Sequence, residues 1–95
     1  MNVLLDILLN SNEYAKDSIT MQEAGLEIQK RTFKLLEEIQ IFLVGQYDKL
    51  ETEMAREALK QGIQQGYVEM CKTDHAIQEA EKTLEETKQS FEKLV

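Results

Sequence analysis

The chain has 95 residues, and its 18 acidic against 11 basic side chains give a net charge of −7. Because nucleic acids are bound largely by neutralising their phosphates, an acidic chain without a basic block is not expected to bind them. The absence of Pro, the small number of Gly and the 42% hydrophobic content predict an ordered, all-α protein.

The first predicted element is a short buried helix over residues 1–9, whose apolar side chains gather on one helical face. A strand is not favoured here, because apolar and polar residues do not alternate. Residues 10–12, Asn-Ser-Asn, prefer caps and turns, and they are predicted to end this helix.

A long second helix is predicted to begin at Thr20, because Thr20 and Glu23 have the spacing of a capping box. In such a box the hydroxyl and the carboxylate each accept a hydrogen bond from a free backbone amide. The predicted inward stripe of this helix consists of Met21, Ala24, Ile28, Leu35, Ile39 and Phe42, widened by Leu36 and Leu43.

A break after this stripe is predicted to turn the chain into a helical hairpin. Gly45 follows an apolar run, and Asp48 with Glu51 has the spacing of a new helix cap, so the break is placed at residues 45–47. A continuous helix is the alternative, because helical spacing continues across the break through Leu43, Tyr47, Leu50 and Met54.

The third helix is predicted to run from Asp48 to about Gln61. Gly62 and Gly66 then each weaken a helix by about 1 kcal/mol relative to Ala, which favours a hinge at this point. The resulting organisation is a helical core over residues 1–61, a hinge at 62–66 and an amphipathic helical arm over 67–95.

The arm carries an apolar seam with the heptad period of helix-to-helix packing. Its members are Ile77, Ala80, Leu84, Thr87, Phe91 and Leu94, with charged residues on the other faces. A stripe this narrow cannot bury itself, so it needs a second surface in the same chain or in another one. The predicted partner-binding anchors are the large apolar side chains of the arm: Tyr67, Met70, Ile77, Leu84, Phe91 and Leu94.

A homodimer is also expected. The stripe formed by Ile28, Leu35, Ile39 and Phe42, together with Leu50 and Met54, is large for so short a chain. A domain of this mass has a limited core of its own, and association supplies further burial.

The sequence favours a cytoplasmic protein. A single cysteine, Cys71, excludes a disulfide within the chain and fits a reducing compartment. The apolar runs are far shorter than a membrane span, and the N-terminal run lacks the basic flank of a signal peptide.

Catalytic and metal chemistry are not predicted. Cys71, His75 and Glu79 have the spacing of one helix face, but a structural zinc site needs four ligands, mostly Cys or His. No nucleotide-binding loop or EF-hand loop is present in the sequence. We therefore expect a non-enzymatic protein without a cofactor, a metal or catalytic residues.

The tail resembles that of MazE-type antitoxins. The resemblance rests on the run Gly66-Tyr67-Val68-Glu69-Met70, on Lys72, Ile77, Glu79 and Ala80, and on the ending Glu92-Lys93-Leu94-Val95. In that family the tail wraps around a MazF-type toxin ribonuclease and blocks its RNA-binding surface. The resemblance implies that the arm binds and neutralises a basic toxin nuclease.

The N-terminal part departs from that family, whose members begin with a ribbon-helix-helix domain that binds operator DNA. Residues 1–60 show neither the alternating strand nor the basic face of such a domain. DNA binding is therefore not carried over.

Two functions remain open from the sequence. One is an antitoxin-like inhibitor with a binding arm. The other is a structural or adaptor helix bundle, whose last helix packs on its own core or within a homo-oligomer. Deletion of residues 66–95 is expected to leave the melting temperature unchanged in the first case and to lower it strongly in the second.

Overall fold

The protein is an all-α helical hairpin, which confirms the predicted fold class. A computed structural model describes residues 3–94, and among these the side chains of residue 3 and of residues 12–93. Helix α1 spans Val3–Tyr47 and helix α2 spans Glu53–Leu94. No strand occurs within residues 3–94.

Helix α1 is one element from Val3 onward, so the predicted break at residues 10–12 and the predicted helix start at Thr20 are both wrong. The Thr20 hydroxyl does not cap a helix; it donates a hydrogen bond to the carbonyl of Lys16, 3.1 Å away. A threonine inside a helix satisfies its hydroxyl in this way, one turn back along its own backbone. Val3, predicted to lie on a buried face, is 67% exposed, and the other side chains of residues 1–9 lie outside the described ones.

The break predicted at residues 45–47 is confirmed, since α1 ends at Tyr47, and the alternative of a continuous helix is wrong. The next helix begins at Glu53, not at Asp48. The Ala55 amide donates to Thr52 Oγ1 at 3.2 Å, so Thr52 is the residue that caps α2. The Arg56 guanidinium also donates, through Nε, to the Leu50 carbonyl at 2.8 Å, which ties the connection to the first turn of α2.

Helix α2 continues through Gly62 and Gly66, and the predicted helix end near Gln61 is wrong. No described residue has a positive φ angle, so both glycines keep ordinary helical geometry. The division into a core over 1–61, a hinge at 62–66 and an arm over 67–95 stays a prediction.

The chain forms two compact units. The loop unit, Gln29–Ile77, contains the end of α1, the connection and the first part of α2. Its less exposed α1 side chains follow a spacing of three and four residues: Phe33, Leu36, Gln40, Leu43 and Tyr47. The matching positions on α2 have the same spacing: Leu59, Ile63, Gly66, Met70, Thr73 and Ile77. This alternation is the seam pattern of two packed helices.

The terminal unit, Met1–Ile28 with Gln78–Val95, places the first part of α1 beside the last part of α2. Leu26 and Leu84 are its buried apolar side chains among the described residues. The Gln22 amide donates from Nε2 to Thr87 Oγ1 at 3.2 Å, and Lys88 Nζ lies 4.0 Å from Glu23 Oε1. The arm seam predicted from the sequence therefore packs, in this unit, against helix α1 of the same chain.

The predicted inward stripe of α1 is wrong. Its large members Met21, Ile28, Leu35, Ile39 and Phe42 are exposed, whereas the neighbouring stripe through Phe33, Leu36, Gln40 and Leu43 is the less exposed one. Both stripes have a heptad spacing, so periodicity alone does not decide which of them packs against α2. Leu36 and Leu43, predicted to widen the first stripe, belong to the second.

Neither helix contains, within its described residues, an uninterrupted apolar segment of the length and hydropathy that a membrane crossing requires.

Candidate protein-interaction surface

The six predicted anchors fall into different environments. Ile77 and Leu84 are each only 8% exposed, and Phe91 is half-buried, so these three contribute to packing within the chain. Tyr67 is 51% exposed, and Met70 beside it is half-buried. The Leu94 side chain lies outside the described ones. Tyr67 and Met70 are thus the two anchors that the folded loop unit leaves within reach of another molecule.

Tyr67 and Met70 line an apolar groove in the loop unit, which we call the Tyr67 groove. Its volume is about 320 Å³, and its wall is made by Glu37, Gln40, Ile41, Val44, Tyr67 and Met70. Four of these six side chains are apolar or aromatic, with one carboxylate and one amide among them. A groove of this kind accepts a partner's apolar side chain, while its few polar groups select the orientation.

Gln40 fixes the wall of the groove where α1 and α2 come close. Its side chain is only 4% exposed, and its Nε2 donates to the Ile63 carbonyl at 2.8 Å. Gly66 faces the same amide, and a Cβ atom added there would overlap it. The absence of a side chain at Gly66 therefore lets Gln40 lie between the helices, and Gly66 directly precedes Tyr67 in the sequence.

A second apolar surface of the loop unit lies on α1 alone. Leu35, Ile39 and Phe42 are 56%, 43% and 63% exposed, and we call these three residues the α1 stripe. With about 100° of rotation per residue, their face lies about 100° around the helix from the face that packs on α2. The α1 stripe is thus a separate face from the seam within the chain.

Exposed apolar side chains are frequent among the described residues. Only three apolar side chains of that part are buried: Leu26, Ile77 and Leu84. In the loop unit the exposed ones include Leu35, Ile41, Phe42 and Tyr67. Exposed apolar patches larger than single scattered residues mark sites of protein–protein interaction.

Cys71, His75 and Glu79, the residues considered for a metal, are all exposed. Among the described side chains, no three of the types Cys, His, Asp and Glu lie close enough together to hold a metal ion. The Glu69 carboxylate, two residues before Cys71, instead pairs with Lys72 Nζ at 3.6 Å and accepts a hydrogen bond from Gln65 Nε2 at 3.0 Å. This part of α2 has the charge pattern of a solvated helix face.

Sequence reasoning missed four residues of the groove: Glu37, Gln40, Ile41 and Val44. The run Ile41-Phe42-Leu43-Val44 contained a usable signal, because four consecutive apolar residues point in all directions around a helix. One face cannot bury all of them, so some had to remain exposed. Gln40 was signalled by its place in the spacing of Leu36 and Leu43, although an amide at such a position is easily taken for a surface residue.

Comparisons of the chain with models of protein families, with curated proteins and with solved structures find no match.

Proposed function

We propose that this chain is a non-enzymatic protein–protein interaction module, a cytoplasmic structural or adaptor hairpin whose exposed apolar faces are covered by other protein chains, including a second copy in a homodimer. The observation that carries the proposal is the exposure of large apolar side chains in the loop unit, among them Leu35, Ile41, Phe42 and Tyr67. Apolar surface left in water is unfavourable by about 25 cal/mol per Å², and association removes it.

The intrachain packing of the arm supports the hairpin rather than a free arm. Ile77 and Leu84 are already buried, and the Thr87 hydroxyl already accepts a hydrogen bond from the Gln22 amide. A partner that needed these side chains would first have to separate α2 from α1. That separation gives up about 1.5–3 kcal/mol for each large apolar side chain. Partners are therefore expected to bind faces that the folded hairpin leaves exposed.

The Tyr67 groove is the proposed partner-binding site. It combines the half-exposed Tyr67 ring with Ile41 and Val44, and aromatic side chains of this kind are frequent anchors in protein interfaces. The Glu37 carboxylate at the wall gives the groove one acidic group, which favours a partner side chain with an apolar stem and a basic end.

A photo-cross-linking amino acid in place of Tyr67, introduced into the full chain in its native host, tests this assignment. The matched control carries the same amino acid in place of Glu57, an exposed residue of the same helix. We expect discrete protein adducts at position 67 and none of the same mass at position 57. Equal labelling at both positions, or no adduct at position 67, would contradict the groove as a binding site.

An antitoxin-like inhibitor is the second candidate. The observation that favours it is that Tyr67 and Met70, which belong to the element resembling MazE-type tails, line an accessible groove. In this version, a basic toxin nuclease first binds these two residues. Ile77 and Leu84 contact the toxin only if the hairpin opens. The acidic excess of the chain favours encounter with a basic surface and makes that encounter sensitive to salt.

Inhibition of a MazF-type ribonuclease tests the second candidate directly. The full chain is added in excess while cleavage of a fluorogenic RNA is followed, with Tyr67→Ala and Glu57→Ala variants in parallel. The antitoxin hypothesis predicts inhibition that Tyr67→Ala weakens and Glu57→Ala retains. Undiminished RNA cleavage at saturating chain would remove this candidate and leave the adaptor hairpin.

A further inference from the structure

We propose that a second copy of this chain packs on the α1 stripe, so that α1 of one copy pairs with α1 of the other. The inference rests on the proposed function and deepens it, because it names the face of the homodimer. The Tyr67 groove stays free for a different protein. The stripe consists of Leu35, Ile39 and Phe42, all exposed in the loop unit.

The geometry of the stripe is that of a helix-pairing seam. Its members follow one another at four and three residues, the alternation that keeps side chains on one stripe of a helix. Its face lies about 100° from the face that packs on α2, so the two contacts do not compete for the same side chains. Each helix of a bundle contacts two neighbours in this manner.

The period of the sequence argues for a copy of this chain as the occupant. Tyr14 and Met21 are both exposed and lie seven residues apart. The same step of seven residues continues through position 28 to Leu35 and Phe42. A stripe with this period packs well against a helix with the same period, and a second α1 has it by identity. Two-fold symmetric contacts of this type are the commonest among homo-oligomers.

The dimer leaves the Tyr67 groove accessible. Ile41 and Val44, which line the groove, lie on a different face of α1 from the stripe. The groove can therefore bind another protein while α1 is paired.

Charge opposes the dimer in a measurable way. Each copy carries a net charge of −7, so the two copies repel each other at low salt. The Debye length falls from about 30 Å at 0.01 M salt to about 8 Å at 0.15 M. Because the stripe itself is apolar, added salt is expected to strengthen the dimer, the opposite of its effect on binding to a basic partner.

Sedimentation equilibrium of the full chain tests the inference, with Phe42→Glu and Leu35→Glu as interface variants. Met54→Glu is the matched control, because Met54 is 84% exposed and lies outside the stripe, and Ile41→Glu places the same charge in the Tyr67 groove. We expect a dimer at micromolar concentration. Each stripe variant should raise its dissociation constant by at least about tenfold, the effect of losing one interface anchor. The dissociation constants of the other two variants should stay within about twofold of that of the parent chain. Circular dichroism confirms that each variant has kept its helix content.

Several outcomes would overturn the inference. A parent chain that stays monomeric at high micromolar concentration excludes the dimer, and stripe variants that associate like the parent chain exclude this face. An Ile41→Glu effect as large as that of Phe42→Glu moves the contact between copies to the groove. None of these outcomes contradicts a groove adduct with a different protein at position 67, so failure of the dimer and failure of the interaction module are distinguishable.

Discussion

Replacement of Gly66 by Ala should destabilise the protein or leave its stability unchanged, whereas replacement of Gly62 by Ala should stabilise it. Both glycines lie inside α2, where Ala is favoured over Gly by about 1 kcal/mol. A Cβ at Gly62 meets nothing within 4 Å, so the whole gain is expected there. A Cβ at Gly66 overlaps the Gln40 amide.

The magnitude at Gly66 follows from what Gln40 loses. Its amide is the end of a flexible side chain, so it moves aside without a backbone shift, but it then gives up the 2.8 Å hydrogen bond to Ile63. Leaving a buried group unsatisfied costs about 1–3 kcal/mol. Set against the helix gain of about 1 kcal/mol, the net change is a loss of about 0–2 kcal/mol. The two alanine variants should therefore differ by about 1–3 kcal/mol in free energy of unfolding.

Thermal unfolding followed by far-ultraviolet circular dichroism measures this difference at one fixed protein concentration, because association shifts the melting temperature. For a domain of this size 1 kcal/mol corresponds to about 4–8 °C. A Gln40→Ala background provides the control, since Gly66→Ala should become stabilising once the amide is absent. Equal stabilisation by Gly62→Ala and Gly66→Ala in the parent chain would refute the close approach of Gln40 to α2.

Three further predictions concern the helix seam and the caps. Leu84→Ala should lower the free energy of unfolding by about 2–3 kcal/mol, while Met54→Ala, at an exposed site, should change it by less than about 0.5 kcal/mol. Gln29→Leu should stabilise the protein by about 1–3 kcal/mol, because the Gln29 Oε1 is buried and accepts no hydrogen bond from the described residues. Thr52→Ala should cost about 1 kcal/mol as the loss of a helix cap, whereas Thr20→Ala should be neutral or slightly stabilising.

Urea unfolding of these variants supplies the free energies. Similar losses for Leu84→Ala and Met54→Ala would contradict the packing of the arm seam. Destabilisation by Gln29→Leu would contradict the assignment of its buried Oε1 as an unsatisfied group. A larger loss for Thr20→Ala than for Thr52→Ala would place the helix start where the sequence had suggested it.

The sequence predicted the fold class and the packed face of α2 because those features follow from composition and periodicity. Ile77, Leu84 and Phe91 have the seam spacing, and the structure places them at the packed or half-buried positions of α2. The turn after Gly45 was also predictable from local residue preferences. These features depend on short-range patterns that one sequence contains in full.

The packed face of α1 was not predictable in the same way. Two stripes of that helix share one period, and the stripe with the larger apolar side chains, including Leu35 and Phe42, is the exposed one. The packed stripe contains Gln22 and Gln40, whose amides donate to Thr87 and Ile63 of α2; the Gln22 amide also donates to Ser18 of its own helix. Such hydrogen bonds between distant segments leave no local signal, so sequence reasoning favoured the more apolar stripe.

The predictions of helix ends were wrong for a related reason. Thr20 has the residues of a capping box, yet its hydroxyl bonds to the Lys16 carbonyl inside a continuous helix. Gly66 reads as a helix breaker, but its missing side chain allows the close approach of Gln40. In both cases the local preference is about 1 kcal/mol, which packing between helices readily outweighs.

The central claim is that the arm seam packs within its own chain and that partners bind outside it. Spin labels introduced by Glu23→Cys and Lys88→Cys in a Cys71→Ser background test this claim by pulsed electron paramagnetic resonance. Excess unlabelled chain suppresses distances between copies. Lys88 Nζ lies 4.0 Å from Glu23 Oε1, and packed helices are about 8–10 Å apart, so one short and narrow distance is predicted for the isolated protein. A broad distribution at long distance would show that the arm is separate from α1, and it would contradict the hairpin as the form in which this protein meets its partners.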